Sequence, residues 1–485
     1  MQVVTPLRPE TPLQSQVQTL FEKLKAGYRA QPNPTLRERE DRLDRLDKMV
    51  VKHKQDLVKA VSEDFSGRSK HETLLADVVL TLDGIREARR HLKEWMRKRP
   101  VDPSPYFLPS RAFIEYLPKG VIAVIAPWNY PVNLALAPAT AALAAGNRVL
   151  LKPSELTPKT SALLARIVAE TFSADEFSVV EGGPEVARAV TQLPLDHILF
   201  TGSTAVGKLV AKAAAENLVP CTLELGGKSP AVVHPDYDVQ KAAERIAIGK
   251  CFNAGQTCIA PDYALVPEGK EASFAESFKA AVQKRWPNLA TSEQFTSMAS
   301  VKGFDRMKVL LEDAKAKGAR VETVAPHGEP KEGRKLAPTL VFGATEEMKV
   351  MQEEIFGPIL PVKTYRTLEE ALDYVRAHER PLALYYFDED ERRAEEALAK
   401  TISGGACVND TLVHFAQERL PFGGVGHSGM GAYHGEVGFQ TFSHARSVLM
   451  ASSMSAARQV MAPPYGKLLD KAVELMTGWI GKLIG

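Results

Sequence analysis

A cysteine within a segment of small residues is the side chain of this sequence best suited to covalent chemistry. Cys258 follows Gly255 and Thr257 in the stretch 252–260, and no second cysteine stands at a spacing typical of a metal site or a disulfide. A thiolate is a strong nucleophile, and neighbouring small residues let a substrate approach the backbone closely. We therefore predict that Cys258 attacks a carbonyl carbon. A packed structural cysteine is the alternative, which the stretch taken alone favours.

A carboxylate between apolar residues and a turn of small residues are two further candidates. Glu224 lies between two leucines and before a double glycine, where burial would raise its pKa and suit it to act as a base. A glutamate exposed at a strand end is the alternative. Residues 201–208 join a strand to a helix and suit a phosphate. Their GxxxxG spacing lacks the second glycine of the dinucleotide fingerprint, so a plain tight turn is an equally good interpretation.

Alternating strands and helices have to position these groups. Short apolar runs alternate with helical segments, the runs at 120–126, 148–151, 177–180 and 197–200 and the helices at 134–145, 160–172 and 184–192. This order predicts a doubly wound, mostly parallel α/β sheet, in which ligands bind at the carboxyl ends of the strands. Residues 13–98 are predicted as helices, including one from Leu74 to Trp95, and a second α/β unit is predicted with strands at 263–266 and 406–408.

Composition excludes several classes of function. The 485 residues carry 61 basic and 59 acidic side chains, a formal net charge of +2, which gives no electrostatic argument for nucleic-acid binding. The four irregularly spaced cysteines predict reduced thiols in a cytoplasmic compartment. The scattered histidines predict no metal site. No apolar run reaches the roughly 18 residues of a membrane-spanning helix.

Seven motifs, taken in order, resemble those of the aldehyde dehydrogenases over nearly the whole chain. They are PWNYP at 127–131, KPSE at 152–155, FTGS at 200–203, ELGGKSP at 224–230, GQTC at 255–258, EEIFGP at 353–358 and LPFGGVGHSGMG at 420–431. The ending, GMGAYHG at 429–435 with TFSH at 441–444, is most similar to the class 3 branch, which includes fatty-aldehyde and aromatic-aldehyde enzymes, and to bacterial coniferyl aldehyde dehydrogenases. The resemblance implies an α/β fold with a Rossmann-like dinucleotide-binding domain, an α/β catalytic domain and a β bridging arm that builds a homodimer.

The resemblance also implies a mechanism, the NAD(P)+-dependent oxidation of an aldehyde to a carboxylic acid. Cys258 would form a thiohemiacetal whose oxyanion accepts hydrogen bonds from the Asn129 side chain and from the backbone N–H of Cys258. Hydride transfer would leave a thioester, and Glu224 would activate the water that hydrolyses it. Tyr130 would contact the substrate.

The cofactor residues are implied in the same way. They are Trp128, Lys152, Glu155, Gly202, Ser203, Gly207, Leu225, Glu354 and Phe356. Lys152 and Glu155 would hold the adenosine ribose, and the carboxylate would repel a 2′-phosphate, so NAD is expected, with NADP also accepted. Gly202 and Ser203 would lie by the pyrophosphate. Glu354 and Phe356 would hold the nicotinamide ribose and ring. His427 is a departure, because class 3 relatives commonly have asparagine there.

The predicted domains follow these motifs. We assign 1–99 and 119–224 to NAD(P) binding, 225–419 to catalysis, 100–118 and 420–462 to the bridging arm, and 463–485 to an amphipathic C-terminal helix. That helix could pack on its own subunit or on the dimer partner, cover an apolar tunnel as a lid, or lie on a membrane surface. Because fatty-aldehyde members of the family carry such a tail, the expected substrates are apolar aldehydes, long-chain or aromatic. The expected location is cytoplasmic, or membrane-associated if the helix contacts lipid.

Two other functions remain open at this stage. A CoA-acylating aldehyde dehydrogenase would transfer the acyl group to a thiol, but that branch does without the base that Glu224 supplies here. A non-catalytic binding or structural member of the family would be expected to lose Cys258, Asn129 or Glu224, and all three are present.

Overall fold

The computed structural model describes residues 12–325, 328, 333–461 and 463–478. The helices are α1 (Pro12–Ala30), α2 (Leu36–Phe65), α3 (Lys70–Glu72), α4 (Leu80–Trp95), α5 (Asn133–Ala144), α6 (Pro158–Thr171), α7 (Pro184–Thr191), α8 (Thr204–Glu216), α9 (Val239–Cys251), α10 (Glu271–Arg285), α11 (Val301–Ala316), α12 (Lys349–Gln352), α13 (Leu368–Ala377), α14 (Glu391–Ala399), α15 (Gly435–Thr441), α16 (Ala456–Val460) and α17 (Lys467–Thr477). A π-helical segment, Thr73–Val79, joins α3 to α4, and short 3-10 turns lie at Pro105–Phe107 and Phe252–Gly255.

The strands form three sheets. They are β1 (Arg99–Val101), β2 (Arg111–Pro118), β3 (Val121–Ile125), β4 (Arg148–Lys152), β5 (Phe177–Val179), β6 (His197–Thr201), β7 (Cys221–Glu224), β8 (Pro230–Val233), β9 (Tyr263–Pro267), β10 (Arg320–Thr323), β11 (Thr339–Phe342), β12 (Ile359–Tyr365), β13 (Ala383–Phe387), β14 (Gly405–Val408), β15 (Gly429–Met430) and β16 (Ser443–Met450). The three sheets have six, seven and three strands.

The six-stranded sheet has the order β15–β7–β6–β3–β4–β5 and is parallel except for β15. Every residue of β3, β4 and β6 is buried, which explains why their sequences are nearly unbroken apolar runs. The chain runs outward from β3 in both directions, first through β4 and β5 and then through β6 and β7. The loops that follow β3 and β6 therefore separate at a topological switch point, where such sheets bind ligands. The predicted doubly wound sheet is confirmed.

The seven-stranded sheet has the order β10–β11–β12–β9–β8–β13–β14, and β10 alone among these strands is antiparallel to its neighbour. It contains the two strands predicted after the cysteine, as β9 and β14. Buried side chains of both large sheets and of helices α2, α4, α5 and α9 belong to one continuous hydrophobic core. The two α/β units are therefore packed together.

The third sheet joins distant parts of the chain. Strand β2 pairs with β16 along Arg111–Pro118 and Ser443–Met450, and β1 pairs with the other edge of β2. The two segments predicted for the bridging arm thus lie side by side. The division of the chain into domains and the role of this arm in a dimer stay predictions.

The N-terminal and C-terminal helical regions differ from their predictions. The prediction of a continuous α-helix from Leu74 to Trp95 is wrong in its first turns, because Thr73–Val79 is π-helical. This segment contains a buried acid, Asp77. Such segments are frequent at functional sites. Helix α17 covers part of the predicted C-terminal helix, whereas residues 479–485, with the apolar pairs Trp479/Ile480 and Leu483/Ile484, lie outside the described residues. Within the described ranges no helix has the length and apolarity needed to cross a bilayer.

Candidate active site

A strained turn places Cys258. Helix α9 ends at Cys251, and the chain then passes through Asn253 and Ala254, both with φ near 51° in the left-handed region. Two consecutive non-glycine residues in this region cost roughly 1–3 kcal/mol each, a strain that surrounding contacts must offset. One such contact is the backbone N–H of Asn253, which donates to the carboxylate of Glu72 at 3.2 Å. The turn delivers Cys258 to the wall of a cavity.

That cavity has a volume of about 410 Å³ and almost wholly apolar walls. Its lining residues are Leu75, Ala76, Val79, Leu80, Tyr130, Leu134, Phe252, Thr257, Cys258, Ile259, Val413, Phe415 and Ala416. The polar end of Tyr130 is tied down, because its hydroxyl and that of Thr257 lie 2.6 Å apart in a hydrogen bond. Leu75, Val79 and Val413 are exposed and form the outer part of the wall. The cavity therefore suits an apolar group attached to a carbonyl.

The structure brings Asn129 to the cysteine segment. The side chain is buried, and its Nδ2 donates to the backbone carbonyl of Gln256 at 3.2 Å, two residues before Cys258. Asn129 follows β3 at the switch point of the six-stranded sheet. A neutral amide donor thus contacts the segment that carries the predicted nucleophile.

Glu224 ends β7 and is 2% exposed. Neither of its carboxylate oxygens has a hydrogen-bond partner among the described residues, and burial raises the pKa of Glu224 well above its ordinary value. The prediction of a half-buried carboxylate with a raised pKa was thus correct in direction, although Glu224 is fully buried. In its ionised form such a carboxylate is a stronger base than an exposed one and can take a proton from a water molecule.

The glycine-rich loop supports the end of β7. Gly429 pairs with Glu224 in the β15–β7 register, and the backbone N–H of Leu225 donates to the Ser428 carbonyl at 3.0 Å. Gly429 has φ near 149°, and a Cβ atom there would collide with the carbonyl oxygen of Leu223. The glycine-rich loop therefore lies against other backbone, and its neighbour is the strand that carries Glu224.

Two acidic side chains near Cys258 influence the pKa of its thiol. Burial raises the pKa of the Cys258 thiol, and the nearby carboxylates of Glu354 and Glu224 raise it further. Burial also raises the pKa of Glu354 to about 8, with Asp262 adding to the effect. The thiol is consequently neutral in this state, so its reaction requires a change in the local charge balance.

The predicted phosphate-binding residues lie at the start of α8. The Ser203 hydroxyl accepts a hydrogen bond from the Val206 backbone N–H at 3.4 Å, and the Gly202 N–H donates to the Glu224 carbonyl at 3.0 Å. Gly207 lies so close to Leu225 that a side chain would meet the leucine methyls. A helix start that faces a strand end in this way presents backbone N–H groups to an anion.

The predicted ribose and nicotinamide residues form separate clusters. Lys152 Nζ donates to Glu155 at 2.6 Å beyond β4. In the second cluster, the centre of the Trp128 ring lies 5.4 Å from that of the Phe356 ring in an edge-to-face contact. Glu354 of the same cluster contacts the backbone of Gly226.

A second cavity of about 450 Å³ includes Thr204, Gly226 and Glu354 in its wall, whereas Lys152 and Glu155 do not line it. A helix start that suits phosphate, a lysine–glutamate pair that suits ribose hydroxyls, and an aromatic contact are features that fit a dinucleotide.

Sequence reasoning missed a cluster of buried charges behind Asn129. Arg68, Glu72 and Asp77 are all buried, and Arg68 Nη1 donates to the Asn129 carbonyl at 2.9 Å. The available signal was an aspartate inside the apolar run Leu74–Leu80, at a position that helical periodicity would bury. The ring of His427, the noted departure, contacts the Glu379 carboxylate at the wall of the second cavity.

The sequence and the fold of this chain are similar to those of known proteins. A sequence profile described as the Aldehyde dehydrogenase family matches residues 10–448. A probable coniferyl aldehyde dehydrogenase of Pseudomonas aeruginosa is 48% identical over 459 residues, which cover 95% of this chain and 96% of that protein.

Two solved structures are also similar. The substrate-bound state of Staphylococcus aureus AldH superposes with a TM-score of 0.90 at 38% identity, covering 95% of this chain and 99% of that one. A cysteine-to-alanine mutant of aldehyde dehydrogenase C from Pseudomonas syringae, in complex with NAD+ and octanal, superposes with a TM-score of 0.82 at 26% identity, covering 91% and 90%.

Proposed function

This chain belongs to the aldehyde dehydrogenase family, and from that premise we propose that it oxidises apolar aldehydes to carboxylic acids through a thioester on Cys258. The predicted family and fold are confirmed, and the reaction class is that of the family: NAD(P)+-dependent oxidation of an aldehyde. The observation that carries the proposal is the apolar cavity that Cys258 lines. The Asn129 amide is bound to the carbonyl of Gln256, two residues before that cysteine.

The first step forms a carbon–sulfur bond. Cys258 gives its proton to a water molecule, its Sγ attacks the aldehyde carbon, and the carbonyl electron pair moves to the oxygen. The resulting oxyanion needs donors that are already in place. Asn129 Nδ2 is the proposed side-chain donor, since it already points at the cysteine segment, and the backbone N–H of Cys258 is the proposed second donor.

The cofactor supplies one piece of chemistry, which is the acceptance of the hydride from the tetrahedral carbon. In our proposal the start of α8, with Gly202 and Ser203, binds the pyrophosphate, and Gly207 with Leu225 shapes that wall. Lys152 and Glu155 hold the adenosine ribose. The Glu155 carboxylate repels a 2′-phosphate and so favours NAD+ over NADP+ without excluding NADP+. Trp128, Glu354 and Phe356 hold the nicotinamide ribose and ring.

The final step is hydrolysis of the thioester. Glu224 takes a proton from water while the water oxygen attacks the acyl carbon, the carbon–sulfur bond breaks, and the thiolate of Cys258 is released with the acid. The absence of hydrogen-bond partners at Glu224 among the described residues leaves both of its oxygens for that water. The same base argues against transfer of the acyl group to CoA.

Apolar aldehydes, aromatic or aliphatic, are the proposed substrates. The cavity volume of about 410 Å³ lies within the range of roughly 300–1,000 Å³ that is typical of small-molecule sites. Its walls offer apolar contact over most of their length, with Tyr130 as a substrate contact. The relatives point the same way, since one is named for coniferyl aldehyde and another was solved with octanal.

We also propose how the protein assembles and where it is located. Strand β16 is largely exposed and pairs with β2, which is mostly half-buried, and we propose that this sheet builds a homodimer. Helix α17 exposes Val473 and Leu475, which would allow it to contact a membrane surface or a partner subunit. We propose a cytoplasmic protein with this helix as its point of peripheral attachment.

The test is NAD(P)H formation measured at a fixed protein concentration over a panel of aldehydes. The panel runs from acetaldehyde to hexadecanal and adds benzaldehyde and coniferaldehyde, each with NAD+ and with NADP+. We expect kcat/KM to rise from acetaldehyde to the apolar members and Cys258→Ala to be inactive with all of them. Equal kcat/KM across the panel would refute the apolar substrate class, and activity in Cys258→Ala would refute the nucleophile.

A further inference from the structure

Arg68 and Asp77 form an ion pair in the interior, behind the loop that carries Asn129. Both side chains are fully buried, and Arg68 Nη2 lies 3.2 Å from Asp77 Oδ2 without hydrogen-bond alignment. Arg68 follows the left-handed end of α2, and Asp77 belongs to the π-helical segment. Buried charges need compensating contacts, so the remaining partners of this pair indicate what it holds.

The two side chains of this pair form hydrogen bonds with both ends of the loop 129–133. Arg68 Nη1 donates to the Asn129 carbonyl at 2.9 Å. Asp77 Oδ1 accepts from the backbone N–H groups of Val132 and Asn133, at 3.0 and 2.9 Å, and so caps the start of α5. Between these two anchors, the Arg68 guanidinium lies 4.7 Å from the centre of the Tyr130 ring, in a cation–π contact. The conformation of the loop is therefore fixed on both sides of Tyr130.

The cysteine segment is tied to the same point. Asn253 Nδ2 donates to the Asn129 carbonyl at 3.1 Å and to the Gln256 carbonyl at 3.0 Å. The Asn129 carbonyl thus has two buried donors, one from Arg68 and one from the turn before Cys258. Its side-chain amide meets the Gln256 carbonyl in turn. The distance between the amide and the nucleophile is consequently set by a closed network of hydrogen bonds.

From this network we infer that Arg68, paired with Asp77, is a positioning residue for the oxyanion donor Asn129. Arg68 does not line the substrate cavity, and its hydrogen bond to the Asn129 carbonyl is what links it to the proposed oxyanion donor. Loss of the guanidinium releases the Asn129 carbonyl on one side and lets the amide drift from the place where the oxyanion develops. A displacement of about 1 Å in such a group can lower a rate by roughly 100-fold. The inference rests on the proposed role of Asn129.

A double-mutant cycle tests it. We expect Arg68→Met to lower kcat by about 10- to 100-fold, with rates expressed per active site from the amplitude of the NADH burst. In the Asn129→Ala background the same change should alter kcat by less than about twofold, because there is no amide left to position. Arg68→Lys keeps the charge next to Asp77 with fewer donors and should recover part of kcat. If Arg68→Met does not fold, the cycle is run with Arg68→Lys.

Arg42 provides a matched control for loss of stability. It is a buried arginine within α2 and pairs with Glu176 at 3.2 Å, but its other hydrogen bonds go to the carbonyls of Gly146 and Asn147. Arg42→Met should lower Tm and leave kcat per active site within about twofold.

The possible failures are distinguishable. If Arg68→Met lowers kcat equally in both backgrounds, Arg68 acts independently of Asn129 and the inference is wrong. If Asn129→Ala keeps full kcat, the proposed oxyanion role itself is wrong, whatever Arg68 does. If Arg42→Met lowers kcat as much as Arg68→Met does, the effect is one of stability, and the inference is equally refuted.

Discussion

Leu75 offers a direct probe of the apolar cavity, because its side chain lines the cavity and remains 58% exposed. Burial of a whole leucine side chain is worth about 1.5–3 kcal/mol, so substrate that covers the exposed part gains at most about 0.9–1.7 kcal/mol. Truncation to alanine removes most of that gain. Since a difference of about 1.4 kcal/mol is a factor of ten, we expect Leu75→Ala to raise KM by about 5- to 20-fold for aldehydes long enough to reach it.

The assay is NADH formation with acetaldehyde, octanal and hexadecanal. Because Leu75 would contact the part of the substrate that does not react, its loss removes uniform binding and should raise KM with kcat unchanged. Acetaldehyde is too short to reach the outer wall, so its KM should stay constant. Leu209→Ala is the matched control, since this leucine is 67% exposed on α8 and does not line the cavity. The same change in KM for acetaldehyde and hexadecanal, or the same change in Leu209→Ala, would refute the cavity as the binding site.

Three further variants test separate parts of the site. Glu224→Gln should form one equivalent of NADH in a burst and then turn over about 10²- to 10⁴-fold more slowly, as measured by stopped flow, since it loses the base that activates water; a normal steady state would exclude that role. Glu354→Gln removes a negative charge that raises the pKa of Cys258, so the pH midpoint of iodoacetamide alkylation should fall, whereas Glu353→Gln, half exposed next to it, should leave the midpoint unchanged. A midpoint that stays in place in Glu354→Gln would contradict the electrostatic description. Gly429→Ala should lower the free energy of unfolding by about 1–3 kcal/mol in urea, because its Cβ would collide with the Leu223 carbonyl oxygen. Gly318→Ala, also at positive φ but with open space around it, should cost less, and equal losses would refute the collision.

Much of the fold was predictable because it depends on local patterns. The strands around β3 are buried on both faces, so their apolar runs stand out, and each alternates with a helix of recognisable period. The predicted strand and helix bounds there differ from the observed ones by one or two residues. Asn129 follows the end of β3 and Glu224 is the last residue of β7, and the carboxyl ends of the parallel strands of one sheet lie at the same edge.

The supporting contacts could not be predicted in the same way. The hydrogen bond from Arg68 to Asn129 spans 61 positions, and that from Asn253 to Asn129 spans 124. No local propensity encodes such pairings. The short strand β15 was also missed, since two residues carry no periodicity, and its pairing with β7 depends on the tertiary path of the glycine-rich loop. The charged residue Asp77 within an apolar run was the one local sign of this network.

The central claim is that Cys258 carries the acyl group during turnover. The most direct measurement is mass spectrometry of the Glu224→Gln protein after incubation with NAD+ and benzaldehyde, with Cys258→Ala/Glu224→Gln as the control. We predict the added mass of one benzoyl group on the peptide that contains Cys258, and no added mass in the control. A benzoyl group on another residue, or NADH formation without any acylated protein, would contradict the account.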